Sequence, residues 1–283
     1  MWILYALCAS FFSGLASVLC KAGVDNVEGE ISTIIRTIII LFISFIVTFY
    51  NGSVCSVVNL NKNQILFLVL SGISTSLLWL SYFKALQLGN VSKVAPIDKT
   101  SIVLTMFFSM FFLDEKITII KIISIILILF GSFLTINKIQ KDNENNSWIL
   151  YAVLTAIFAS TTTIISKIGL INVDSSLATF IRTLVVLIFI IFVLIFKKKL
   201  KYFKDINRNN FKYIVLSGIS TSFSWLCYFK ALQDNEASIV FTIEKMSLVV
   251  VIVLSYYFLN EKISKKSLIG IIIITIGTGI LLF

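Results

Sequence analysis

Six charged residues stand inside otherwise apolar runs: Asp98 and Lys99, Glu244 and Lys245, and the pair Arg36 and Arg182. An ionised side chain near the centre of a membrane segment costs ~2.5–3.5 kcal/mol on insertion scales, so each must be paired, solvated in a cavity or near a helix end. Neighbours on a helix point about 100° apart, which places Asp98 and Lys99 badly for pairing with each other. Their partners are therefore expected on other helices, with the carboxylates of Asp98 and Glu244 meeting Arg36, Arg182, Lys99 or Lys245 around a central polar site. The structural alternative is a static ion network that holds the molecule together.

A second constellation is aromatic and hydroxylic. Ser71, Thr75, Trp79 and Tyr82 follow one another at helical spacing, and Ser217, Thr221, Trp225 and Tyr228 repeat the series. Each set makes one stripe on one helix. Two facing stripes of hydroxyl, indole and phenol would line a cavity that hydrogen-bonds a small solute and packs against its apolar part. The competing reading puts the Trp and Tyr residues in the headgroup belt. Pro96 adds an expected kink, because a mid-helix proline frees a carbonyl one turn back. Thr242 occupies the equivalent place, so that kink is expected in one half only.

The elements that must position these residues come in two copies. VLSGISTSLLWLSYFKALQ returns as VLSGISTSFSWLCYFKALQ, displaced by 146 positions, as Tyr5 is from Tyr151 and Lys21 from Lys167. Arg36 and Arg182, Glu115 and Glu261, and Gly131 and Gly277 keep the same offset. Of the 283 residues, 58% are hydrophobic and 13% charged, and the mean hydropathy is +1.00. A water-soluble surface needs more charge than that. The apolar blocks have roughly the ~20 residues that cross a bilayer as a helix, and they are not the short alternating segments of a barrel.

These patterns predict an all-α integral membrane protein with helices over about 2–22, 31–50, 65–87, 91–113 and 118–136, then 148–168, 177–196, 211–233, 237–259 and 264–282. Residues 1–137 and 148–283 form the two repeats, with 138–147 as a polar linker. An odd number of helices per copy inverts the second copy in the bilayer, giving ten helices as two inverted five-helix repeats around a central cavity, which is a transporter's geometry.

Charge and composition narrow the function. The net charge of +10 owes much to Lys197, Lys198, Lys199, Lys201, Lys204, Arg208 and Lys212, a cluster that suits anionic lipid and not nucleic acid. Lys21, Lys138, Lys141, Lys262, Lys265 and Lys266 fall on the same side, opposite Lys62, Lys116, Lys121 and Lys167. If the basic side is cytoplasmic, both termini face outward. Histidine is absent and the four cysteines have no metal-ligand spacing, so no metal, cofactor or thiol chemistry is expected. No GxxxxGK[ST] loop offers ATP a seat.

Ser13, Gly14, Ala16 and Ser17 read as close-packing positions. Lys84 and Lys230 read as snorkelling residues, and the DEK at 114–116 and NEK at 260–262 as helix ends at the interface. The reading is a secondary carrier of a small polar or zwitterionic metabolite such as an amino acid, exporting it by alternating access, with protons as a coupling candidate. The positively biased interior favours an anionic or zwitterionic solute. An exporter of amines or drug-like cations, a channel and a membrane-embedded enzyme are the alternatives, and either a monomer or a homodimer is compatible.

As a set, the IRT segments at Arg36 and Arg182, SGISTS followed by WLSYFKALQLG or WLCYFKALQDN, VAPIDKTSIVL, and FFLDEKIT with its copy YFLNEKIS are specific. On them the chain resembles the drug/metabolite transporter superfamily, in particular its ten-helix members built from two EamA-type domains. The resemblance implies a bacterial inner-membrane carrier, commonly an exporter of amino acids and related metabolites, with both termini cytoplasmic. It also implies a cavity lined by the third, fourth, eighth and ninth helices, which implicates Trp79, Tyr82, Asp98, Trp225, Tyr228 and Glu244.

Overall fold

The computed structural model describes residues 1–23, 29–88, 97–98, 100–135, 147–196, 207–259 and 264–281, with backbone alone at 29, 30, 83, 86, 87, 135 and 259. Pro96, Lys99, Lys138, Lys141, Lys197, Lys198, Lys199, Lys201, Lys204, Glu261 and Lys262, with the linker as far as 146, lie outside the described residues.

Among those residues the chain is all-α. The helices are α1 (Trp2–Gly23), α2 (Gly29–Tyr50), α3 (Lys62–Leu88), α4 (Ser101–Leu113), α5 (Ile119–Thr135), α6 (Ser147–Gly169), α7 (Ser175–Phe196), α8 (Arg208–Asp234), α9 (Ala237–Glu244), α10 (Ser247–Leu259) and α11 (Lys265–Leu281). A 3₁₀ helix, Ser53–Asn59, fills a connection expected to be a plain loop. Helices α3 and α8 start three residues earlier than predicted, each with a polar first turn.

Among the described residues, six segments are long and apolar enough to cross a membrane: Trp2–Gly23, Ile31–Tyr50, Lys62–Tyr82, Ser147–Gly169, Ser175–Phe196 and Ala237–Phe258. The protein is a multi-pass membrane protein. Helix α8 is also long but less apolar, because Ser217, Ser220, Thr221, Ser222 and Ser224 are buried along it.

Polarity is turned inward throughout. Phe42, Phe49, Phe112, Ile188 and Phe196 are exposed, whereas Thr37, Ser71, Thr105, Thr183 and Ser217 are fully buried. In lipid nothing drives apolar faces together, so helices associate through close approach and hydrogen bonds. Helix α8 lies antiparallel along α1, with the hydroxyls of Ser217, Ser220 and Ser224 donating to the carbonyls of Ala16, Phe12 and Ala9 at 2.8, 2.9 and 2.8 Å. Helix α3 lies along α6 in the same way, where Ser74 donates to the Phe158 carbonyl at 3.2 Å.

Contacts recur with the copies exchanged. A Cβ on Gly72 would meet Val185 Cβ at 2.9 Å and the Arg182 carbonyl at 3.0 Å, and one on Gly218 would meet Ile39 Cβ at 3.1 Å and Arg36 Cα at 3.3 Å. Where α5 packs on α11, Gly131 faces Gly270 and Ile274, and Gly277 faces Ser124 and Ile128. Each pair of contacts is related by the 146-residue displacement.

These close approaches fix a testable limit. A Cβ at Gly131 would stand 2.8 Å from the Gly270 carbonyl oxygen, so Gly131→Leu forces α5 and α11 apart, at a cost of about 1–3 kcal/mol for overpacking. The expected result is a lower melting temperature of the detergent-purified protein, followed by size-exclusion chromatography after heating. Gly279 has nothing within 4 Å of its Cβ direction, and Gly279→Leu is expected to melt like the parent.

Candidate functional site

Helices α2 and α7 each place an arginine about two turns from the helix start. Both are followed by a threonine that bonds its own helix, Thr37 to the Thr33 carbonyl at 2.7 Å and Thr183 to the Thr179 carbonyl at 2.6 Å, so only the guanidinium is left to look outward. Arg36 donates from Nη2 to Thr221 Oγ1 at 2.9 Å and from Nη1 to Cys20 Sγ at 3.4 Å. Arg182 donates from Nη2 to Thr75 Oγ1. The two bonds are exchanged copies of one another, joining α2 to α8 and α7 to α3.

The two half-buried indoles of the stripes meet one another. Trp79 and Trp225 lie with ring centroids 5.7 Å apart and planes at 35°. Arg182 Cζ sits over the Trp225 ring at 4.7 Å and over Phe229 at 4.8 Å. Tyr228 shares a hydrogen bond with Thr163 Oγ1 at 3.3 Å. Tyr82 packs on the cluster of Ala85 and Ala152 with Ile97, Trp148 and Tyr151.

The hydroxyl part behaves differently from the expected cavity lining. Ser217 is taken by α1, and Ser71 donates to the Leu68 carbonyl at 2.8 Å. Thr75 and Thr221 donate to the Ser71 and Ser217 carbonyls, each at 2.8 Å, while accepting from the arginines. Their role is to aim guanidinium groups.

The predicted ninth helix is broken. Lys245 N–H and Met246 N–H bond three residues back, to Thr242 and Ile243 at 3.1 and 3.0 Å, and separate α9 from α10. Thr100 N–H bonds Ile97 at 3.0 Å at the equivalent place in the first half. A proline is therefore not what breaks these helices, since the half without one is interrupted too. Broken helices inside a membrane protein expose backbone polarity only where protein or a cavity receives it.

Adjacency does not keep the two charges at 244 and 245 apart. Glu244 and Lys245 do pair, with Nζ 3.4 Å from Oε2, because the long, flexible lysine stem spans the angle between neighbours. Ser13 donates to Glu244 Oε1 at 3.0 Å, and Lys245 Nζ lies 4.3 Å from the Phe241 ring centre. The charge of Asp98 acts on both Tyr82 and Lys245. The expected carboxylate–arginine pairs are not formed among the described residues: threonine, cysteine and aromatic groups surround the two guanidiniums instead.

One end of the molecule carries a network whose residues were expected only to mark the interface. Glu115, 8% exposed, accepts from the N–H groups of Ala237 and Ser238 at 2.5 and 3.2 Å and from the Ser238 hydroxyl, which caps the start of α9. Lys121 Nζ pairs with Glu236 at 2.5 Å and donates to the Lys116 carbonyl at 2.9 Å. Lys167 donates to the Leu232, Gln233 and Asn235 carbonyls at 2.5, 3.3 and 2.7 Å, which satisfies the end of α8. Lys230, expected to snorkel, pairs with Asp234 at 3.3 Å. A signal for the caps was present: Glu115, Lys167 and Ser238 all have identical partners in the other copy, at 261, 21 and 92. Ser13, Cys20, Thr163, Phe229 and Phe241 had no chemical signal, because small and apolar residues are common in every helix.

Comparisons with known proteins agree with this architecture. The model of the EamA-like transporter family matches residues 1–137 and 146–283. An uncharacterized transporter in the cobO 3′ region of Sinorhizobium sp. is 35% identical over 133 residues, 47% of this chain and 94% of that protein. The uncharacterized transporter YxxF of Bacillus subtilis is 27% identical over 228 residues, 78% of this chain and 71% of that protein. A protein crystal structure superposes with a TM-score of 0.84 over 98% of this chain and 96% of its own, at 14% identity, a likeness of fold alone. With the family model matching both halves of the sequence, the chain belongs to the EamA-like transporter family, a membrane transporter and not an enzyme.

Proposed function

We propose that this protein is a secondary carrier of the bacterial cytoplasmic membrane that exports a small polar or zwitterionic metabolite, such as an amino acid, by alternating access. Its units are residues 1–137 and 148–283, ten membrane passes set in the bilayer with opposite polarity and joined by 138–147. Trp79, Tyr82, Trp225 and Tyr228 contact the solute, Arg36 and Arg182 supply positive charge, and Asp98 and Glu244 with Lys99 and Lys245 form the group that carries any coupled proton.

The observation that carries this reading is the exchanged pair of bonds, Arg36 to Thr221 and Arg182 to Thr75. Two opposed copies of one unit, meeting through equivalent residues, have two related arrangements of nearly equal energy, and a site between them can be offered to either side. Turns of three residues at Lys245 and Thr100 interrupt the helices at equivalent places in the two copies, a further feature in keeping with a carrier.

Proteoliposomes test the mechanism. Saturable counterflow is the expected result, and an unsaturable ion current would replace the carrier by a channel. Single cysteines at positions 62 and 208 are expected on opposite membrane faces; labelling of both from one face would remove the inverted arrangement.

A further inference from the structure

Acidic groups in this protein are largely spoken for. Glu244 is held by Lys245 and Ser13, Glu236 by Lys121, Asp234 by Lys230, and Glu115 by the start of α9. The charge of Asp98 acts on Tyr82 and Lys245. Arg182, 5% exposed, has no carboxylate within salt-bridge distance among the described residues, and its Nε is buried with no hydrogen-bond partner.

A guanidinium has five N–H donors in a planar fork that matches a carboxylate with two parallel bonds. Thr75 takes one of the five. The indole of Trp225 and the ring of Phe229 stand over Cζ and hold the group in place without accepting a conventional hydrogen bond. Thr75 cannot turn away to serve a solute, because its own proton goes to the Ser71 carbonyl. What is left is an oriented, desolvated cation with unused donors, beside the Trp79–Trp225 contact between the two halves. Arg36 shares the unpartnered Nε but spends a second nitrogen on Cys20 and is only half-buried.

We infer that Arg182 is the seat of the solute's carboxylate, so that the carrier takes carboxylate-bearing solutes and rejects their amides and simple amines. The inference rests on the carrier reading above and narrows it. Trp225 and Trp79 pack against the solute's apolar part, and Thr75 is a positioning residue. Lysine does not substitute for arginine here, because an ammonium lacks the fork.

The test is counterflow into proteoliposomes of purified protein, using L-threonine, L-phenylalanine and pyruvate, with threoninamide, phenylalaninamide and putrescine as the solutes without a carboxylate. Exchange of at least one carboxylate solute, about tenfold to a hundredfold faster than its amide, is expected from the loss of a charge-assisted pair. In Arg182→Gln the ratio of acid to amide is expected to fall to about one, a change that a purely structural arginine would not produce. If Arg182→Gln does not fold, Arg182→Lys is expected to lose at least about tenfold of the same ratio. Amide or amine exchange as fast as acid in the parent protein overturns the carboxylate assignment and leaves the carrier standing. An unchanged ratio in the folded variant overturns the role of Arg182. Exchange of none of the six solutes above empty liposomes overturns both readings.

Discussion

Glu244→Gln is expected to reach the membrane folded and to exchange solute about a hundredfold more slowly than the parent. The carboxylate balances Lys245 at 3.4 Å and receives Ser13 at 3.0 Å, at a point where α9 and α10 have come apart. Removing one member of a buried ion pair costs ~3–5 kcal/mol, mainly because the other charge is stranded. Glu244 and Lys245 keep 20% and 14% exposure, so the lower end applies, and about 3 kcal/mol is roughly two decades in a conformational equilibrium. The measurement is counterflow normalised to reconstituted protein. The double variant Glu244→Gln with Lys245→Met removes the stranded charge. It is expected to regain thermal stability and not exchange, and recovery of both would make the pair purely structural.

Glu115→Ala is expected to open the end of the molecule where α4, α6, α8 and α9 meet. The substitution leaves the N–H groups of Ala237 and Ser238 and the Ser238 hydroxyl without their acceptor. Loss of an N-cap costs about 1 kcal/mol, and loss of a partly buried negative charge at a helix start up to ~2 kcal/mol. Together they shift the balance toward the open end by about a hundredfold. The readout is the labelling rate of a single cysteine at position 233, in protein with Cys8, Cys20, Cys55 and Cys227 replaced by serine. Glu115→Gln, whose amide oxygen still accepts, is expected to fall between. Lys121→Met should change the rate less, because its partner Glu236 is 40% exposed and water can take the place of the lysine.

The all-α, multi-pass character was legible because length and hydropathy decide it, with six spanning segments among the described residues, and the 146-residue displacement located which residues would be equivalent before any contact was known. Trp79 and Trp225 were picked out by that equivalence, and they do meet. The pairing of charges was not legible. It depended on the direction in which neighbouring side chains leave the helix, and at Glu244 and Lys245 a long, flexible lysine stem closes that angle. The hydroxyls failed for another reason: a serine beside a close-packed helix gives its proton to the neighbouring carbonyl, as Ser217, Ser220 and Ser224 do, and sequence alone does not separate that use from solute binding. Glu115 illustrates a third limit, since a carboxylate after an apolar run looks solvated until the start of another helix is found on top of it.

The serine bonds from α8 into α1, and the bond from α3 into α6, stitch a helix of one copy to a helix of the other. Any rocking motion that preserves those stitches divides the molecule across the duplication and not along it. In the carrier proposed above, the halves that evolution copied would not be the halves that swing, since each moving body would draw on both.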